Sequence, residues 1–143
     1  MDEPDCSACP ITLFHWPGSR SSRVLWLLYE LKEHYSELDF QLHTFSADFR
    51  TNKPQWFLNM NPNGKVPFLV DNLQKVRMFD GCAICLYLWE TYDVDGRLGS
   101  KTDPQFRSKL FEMAFYISGT VDNLTALSSP VQQAVMKFSW QFI

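Results

Sequence analysis

The stretch Asn59–Asn72, NMNPNGKVPFLVDN, contains a conflict whose resolution decides the fold around it. Val66 to Val70 is strand-like in composition, yet Pro67 has no N–H and removes a donor from any ladder it joins. An edge strand with an ordinary trans proline is one resolution. A cis peptide bond in a tight turn at the strand start is the other. Because cis is only about 5–6% of X–Pro bonds, the local sequence favours the trans form. Across the turn Asp71-Asn72, Lys75 to Met78 (KVRM) is expected to pair with this strand.

Upstream, Ile11 to Trp16 (ITLFHW) is a short β-rich run stopped by Pro17-Gly18. Val24, Leu27, Leu28 and Leu31 then recur at i, i+3, i+4, i+7, the stripe of a helix. Leu25, Trp26 and Tyr29 widen that stripe and predict burial on more than one face. Asp39 to Phe45 alternates as a second strand, and a short helix is predicted from Pro54 within the polar stretch Ser46–Asn63. Downstream, Ala83, Ile84, Tyr87 and Leu88 fall at helical spacing from Asp80 to about Thr91. The order is βαβαββα, an α/β domain.

Asp93 to Pro104 (DVDGRLGSKTDP) is hydrophilic, with two glycines and a proline, and marks a boundary. Phe106, Leu110, Met113, Ala114 and Ile117 predict a helix beyond it, and Val131 to Phe142 another. The expected organisation is a mobile tail over 1–10, an α/β domain over 11–99 and the start of a helical domain over 100–143, truncated. Those last helices are too few to fold alone and are expected to pack on the first domain.

The composition of the 143 residues is 45% hydrophobic and 20% charged, that of a globular chain, and its net charge is −3. This balance offers no electrostatic reason for a nucleic-acid or anionic-membrane partner. No apolar run reaches the roughly 18 residues of a membrane span. The acidic start MDEPDCSACP does not suit a signal peptide, and the four cysteines form no disulfide framework, so a cytoplasmic location is expected.

Three local features carry chemistry. PGSRSSR (17–23) lies between a strand and a helix, where unpaired N–H groups and the helix dipole favour an anion and a serine hydroxyl can donate to a thiolate. Taken alone, Ser19 or Ser21 reads more simply as a helix cap. The second feature is Val66-Pro67. The third is Asp80-Gly81 at a helix start, where Asp80 is ordinarily a cap and becomes a binding group only beneath a ligand amine.

In this order the three features resemble the glutathione transferases, strongly over 11–99 and weakly over 104–143. ITLFHWPGSRSSRVLWLLYEL (11–31) is similar to the opening of serine-type members, especially bacterial and fungal ones. NMNPNGKVPFLVDN is similar to the family's N-P-x-G-x-V-P-x-L signature, and MFDGCAICLYLWETY (78–92) to its acidic-Ser-x-Ala-Ile-x-x-Tyr-Leu helix. The resemblance implies a thioredoxin-like first domain and a helical second domain. It also implies a cytoplasmic detoxifying enzyme that joins glutathione, as co-substrate, to a small hydrophobic electrophile, with no tightly bound cofactor and no metal. A homodimer is implied too.

By the same resemblance Ser19, four residues before Arg23, activates the thiol, with Ser21 as runner-up. Val66 pairs with the cysteinyl part of glutathione ahead of a cis Pro67. Asp80 and the backbone of Gly81 hold the γ-glutamyl end, and Lys65 and Lys53 meet the glycine carboxylate. Gly81 departs from the family, which has Ser or Thr there; a lost charge-assisted hydrogen bond weakens binding by about 1.5–3 kcal/mol.

One hydroxyl is enough for thiol activation. A thiol of pKa about 8.5 is roughly 3% ionised at neutral pH, and lowering it two units takes about 2.7 kcal/mol. A hydrogen bond to the charged sulfur supplies about 1.5–3 kcal/mol, and the helix terminus about 0.3–1.

Two other function classes stand beside the transferase. A non-catalytic binding module is suggested by the shortened helical part. A thiol-disulfide oxidoreductase is suggested by Cys6-Ser7-Ala8-Cys9, but this pair precedes the first strand instead of following it. Cys82 and Cys85 are read as helix packing, His15, His34 and His43 as surface or loop residues, and Trp26, Trp56 and Trp89 as core or domain-interface residues.

Overall fold

The computed structural model describes residues 2–123, which divide between two compact units, Met1–Leu98 and Gly99–Ile143. In the first unit a four-stranded sheet is ordered β2-β1-β3-β4, from β1 (Ile11–His15), β2 (Phe40–Thr44), β3 (Phe68–Asp71) and β4 (Val76–Phe79). β1 and β2 are parallel, while β3 is antiparallel to both β1 and β4. The helices are α1 (Ser22–His34), α2 (Gln55–Met60) and α3 (Gly81–Tyr92). This thioredoxin-like arrangement has the predicted order, with ends shifted by one or two residues.

β1 and β3 are buried at every position because they are central strands covered on both faces. Ile11, Leu13 and Leu69 turn to one side, into a core with Val24, Leu28 and Leu31 of α1 and Ile84 and Leu88 of α3. Phe14, Phe68 and Val70 turn to the other, where Phe45, Phe49 and Phe57 make an aromatic core. Phe45 stacks on Phe49 with ring centroids 4.1 Å apart. The N-terminal segment is stitched to this sheet. Asn72 donates its side-chain amide to the Cys6 and Cys9 carbonyls and its N–H to Pro10, and Gln41 donates to Asp5. Those partners lie more than 30 residues away, so the local composition that suggests a mobile tail cannot report them.

Trp89 is buried, but Trp26 is 68% exposed and donates its indole N–H to Glu30 one turn on. A widened stripe on α1 therefore overstates its burial: Val24, Leu28 and Leu31 are buried, while Trp26 and Tyr29 are exposed.

In the second unit α4 (Pro104–Tyr116) opens as its sequence dictates, with Asp103 accepting from Gln105 N–H and Pro104 at the first helical position. A five-residue π turn, Ile117–Val121, continues it. The helix predicted at Val131 to Phe142 lies outside the described residues. Among the described residues no helix is long and apolar enough to cross a membrane.

Candidate functional site

The strand register brings the three chemical features to one end of the sheet. Phe14 pairs with Phe68, His15 with Thr44, and Phe68 with Phe79. β1, β2 and β4 therefore finish, and β3 begins, along a common rim. Ser19 follows β1, Val66-Pro67 precedes β3, and Asp80-Gly81 follows β4, so residues more than 40 positions apart in sequence meet there.

At the β1–α1 turn, Gly18 takes the left-handed φ of +75° and Ser19 N–H bonds to the Trp16 carbonyl at 3.1 Å. Ser19 is half-buried, and its Oγ lies 2.5 Å from Ser21 Oγ and accepts from Ser21 N–H at 3.3 Å. Ser21 precedes α1, but its side chain makes no capping bond. It is fully buried, and its Oγ lies 2.7 Å from His15 Nδ1 and accepts from Trp16 N–H at 3.3 Å. His15 is itself buried, not the surface or loop residue its isolation in the sequence suggests. Burial holds its imidazole below the usual pKa, so it is neutral at neutral pH. Alternation along β1 foretells which face His15 takes; only the tertiary fold brings Ser21 to it.

The Val66–Pro67 bond is cis, against the trans form that the local sequence favours and in line with the family resemblance. Pro67 is buried, and a Cβ built on Gly81 would lie 3.6 Å from its ring, in ordinary van der Waals contact. The start of α3 thus abuts the cis turn. Asp80 has φ +79° and caps α3: its Oδ1 accepts from both Cys82 and Ala83 N–H at 3.0 Å. Its second carboxylate oxygen takes no part in that cap, and the residue is exposed.

Residues 9–90 match the family model described as glutathione S-transferase, N-terminal domain. The chain belongs to that family. The glutathione S-transferase-like protein OpS6 of Beauveria bassiana is 33% identical over 94 residues, 65% of this chain and 40% of the relative. A glutathione transferase homologue from Sulfitobacter, crystallised with bound glutathione, superposes with a TM-score of 0.67 at 24% identity, covering 81% of this chain and 52% of the other. Ure2p in complex with glutathione gives 0.69 at 19% identity, covering 96% and 64%. The matched part spans 40–47% of the length of the curated relatives.

Within this glutathione S-transferase domain Lys53 also reaches the loop ahead of the cis turn. Lys53 Nζ would stand 3.4 Å from a Cβ at Gly64, which adjoins the exposed Lys65. Gly64 has φ +61°, and a Cβ there would also press on Leu58 at 3.0 Å, so glycine suits the position twice over. Asn61, buried beneath the loop, donates to the Lys65 carbonyl at 2.8 Å.

The four cysteines of the domain are free thiols. Burial pushes Cys6 and Cys9 above the ordinary thiol pKa, the reverse of what a redox nucleophile needs. Cys85 is pushed up to about 12, chiefly by burial, and fills space in α3. Among the described residues no group of His, Cys, Asp and Glu could hold a metal ion.

Proposed function

We propose that the chain is a glutathione transferase in which the Ser19 hydroxyl stabilises the glutathione thiolate for attack on a small hydrophobic electrophile. The observation that carries this reading is the position of Ser19. It is half-buried on the rim where the cis Val66–Pro67 turn and the Asp80-Gly81 helix start also lie. In this reading Val66 offers its backbone to the cysteinyl unit, and the uncommitted oxygen of Asp80, with Gly81 N–H, receives the γ-glutamyl end. Lys65 and Lys53 meet the glycine carboxylate. The bound sulfur then forms a bond to the electrophilic carbon as a leaving group departs or a double bond accepts the electron pair. Glutathione is a co-substrate here, and a cytoplasmic homodimer acting in detoxification belongs to the same proposal.

Conjugation of glutathione to a chromogenic aryl halide tests the reading. The wild-type protein turns over above the uncatalysed background, and Ser19→Ala loses most of that rate. A wild type at background, or a fully active Ser19→Ala, overturns it. A second reading, glutathione binding without conjugation, is favoured by the placement of every assigned contact within residues 19–81. Retention on immobilised glutathione without turnover selects it.

A further inference from the structure

The hydrogen-bond ledger of the β1–α1 turn carries a consequence beyond the role given to Ser19, although it rests on that role. A serine hydroxyl has one hydrogen and two lone pairs. Ser21 Oγ has three close partners, Ser19 Oγ at 2.5 Å, His15 Nδ1 at 2.7 Å and Trp16 N–H at 3.3 Å, besides a longer approach of 3.4 Å to the Trp16 carbonyl. Trp16 N–H can only donate, so it occupies one lone pair. The Trp16 carbonyl at 3.4 Å lies beyond the usual O–H···O range and competes only weakly with partners at 2.5 and 2.7 Å, so the hydrogen and the other lone pair divide between Ser19 and His15. If Ser19 donates inward to Ser21, its hydrogen is spent and it cannot donate to a sulfur. If Ser21 donates outward, both lone pairs of Ser19 are filled, by Ser21 O–H and Ser21 N–H, and the Ser19 hydrogen points to the rim. The remaining lone pair of Ser21 then requires a proton on His15 Nδ1.

We propose that His15 is a positioning residue which, as the Nδ1–H tautomer, donates to Ser21 and through it turns the Ser19 hydroxyl outward as a thiolate donor. Three donors in line polarise one another, so the Ser19 O–H facing the sulfur is a stronger donor than an isolated serine. Burial disfavours imidazolium, so His15 enters this chain as a neutral donor. Ser21, in this arrangement, is the relay between the two and not the thiol-activating group.

Two measurements test this. Nitrogen NMR of the free protein reads the His15 tautomer, and Nδ1–H is expected; the Nε2–H form overturns the inference. The second is the pKa of glutathione bound to the protein, from the ultraviolet absorbance of its thiolate. His15→Leu and Ser21→Ala are expected to raise it by about one unit, equivalent to about tenfold less thiolate below the pKa, with the glutathione KM changed less than about threefold. His15→Asn, whose amide can replace the Nδ1 donor, is expected to remain near wild type. An unchanged thiol pKa in His15→Leu and Ser21→Ala, where Ser19→Ala raises it, refutes the relay and leaves the role of Ser19 intact. If Ser19→Ala leaves the pKa unchanged as well, the reading of Ser19 fails and the relay falls with it.

Discussion

Each contribution to the rim is a single hydroxyl, carboxylate oxygen or peptide group, so its loss has a definite size. In the proposed reading, removing the Ser19 hydroxyl forfeits one hydrogen bond to a charged atom, about 1.5–3 kcal/mol, and the conjugation rate of Ser19→Ala at neutral pH should fall about 10- to 100-fold. The bound-thiol pKa should move back toward the ordinary value of about 8.5. Gly81 gives the complementary prediction. The space beside Pro67 admits a Cβ at ordinary contact distance, so Gly81→Ser should fold normally. It should also bind glutathione about tenfold more tightly by equilibrium titration, since it supplies a charge-assisted donor. The Asp80 cap was legible in the sequence because cap chemistry is local, whereas Ser19 was singled out only by the family resemblance. Local composition gave neither the Val66–Pro67 isomer, which the family resemblance alone implied, nor the burial of His15. The burial of His15 is set by the covering of both faces of β1, a signal that does not lie within a few residues.

At the scale of elements, helix periodicity and the turn residues located all four strands and the helices of the first unit. They gave no view of what ties one element to another. Asp71 ends β3 buried, and its carboxylate accepts from Tyr87 at 2.7 Å, from Tyr92, and from Gln74 N–H at 3.0 Å. This ties the central sheet to two successive turns of α3, the helix whose start forms part of the rim. Asp71→Ala leaves both phenols without their acceptor and should cost about 1–3 kcal/mol in urea unfolding. Tyr92→Phe removes one donor while two others remain on the carboxylate, and should cost less than Asp71→Ala. Asp93 plays a comparable part after α3, accepting from Tyr35 at 2.6 Å and from Arg97 and Leu98 N–H at 2.8 and 3.0 Å. Asp71 and Asp93 read in sequence as turn residues, since the phenols they hold stand 16 to 58 positions away.

For the whole molecule, buried and half-buried groups set opposite flanks of one pH–stability curve. Burial holds His15 and His43 below the ordinary histidine pKa. Below about 6.5 the unfolded chain therefore takes up protons that the folded protein refuses, and stability drops as the pH falls. Burial first, and the bonds to Asp71 second, hold Tyr87 and Tyr92 above the ordinary phenol pKa. Above about 10 the unfolded chain gives up protons that the folded protein keeps, and stability drops as the pH rises. Urea midpoints across pH should trace a dome; Tyr87→Phe should flatten the alkaline side and His43→Phe the acidic side. A core truncation shifts the entire curve instead: Phe14→Ala, at the centre of the aromatic core, should lower stability by about 3–5 kcal/mol at every pH. The stitching of Cys6, Cys9 and Pro10 onto Asn72 has a practical reach of its own. It lies at the start of β1 and the end of β3, the opposite pole from Ser19, Pro67 and Asp80, with the exposed hairpin residues Leu73–Lys75 beside it. The proposed site occupies one pole and this stitching the other, so a dye or fused peptide placed at Leu73–Lys75 can report on the molecule from a distance without trespassing on the end proposed to take glutathione.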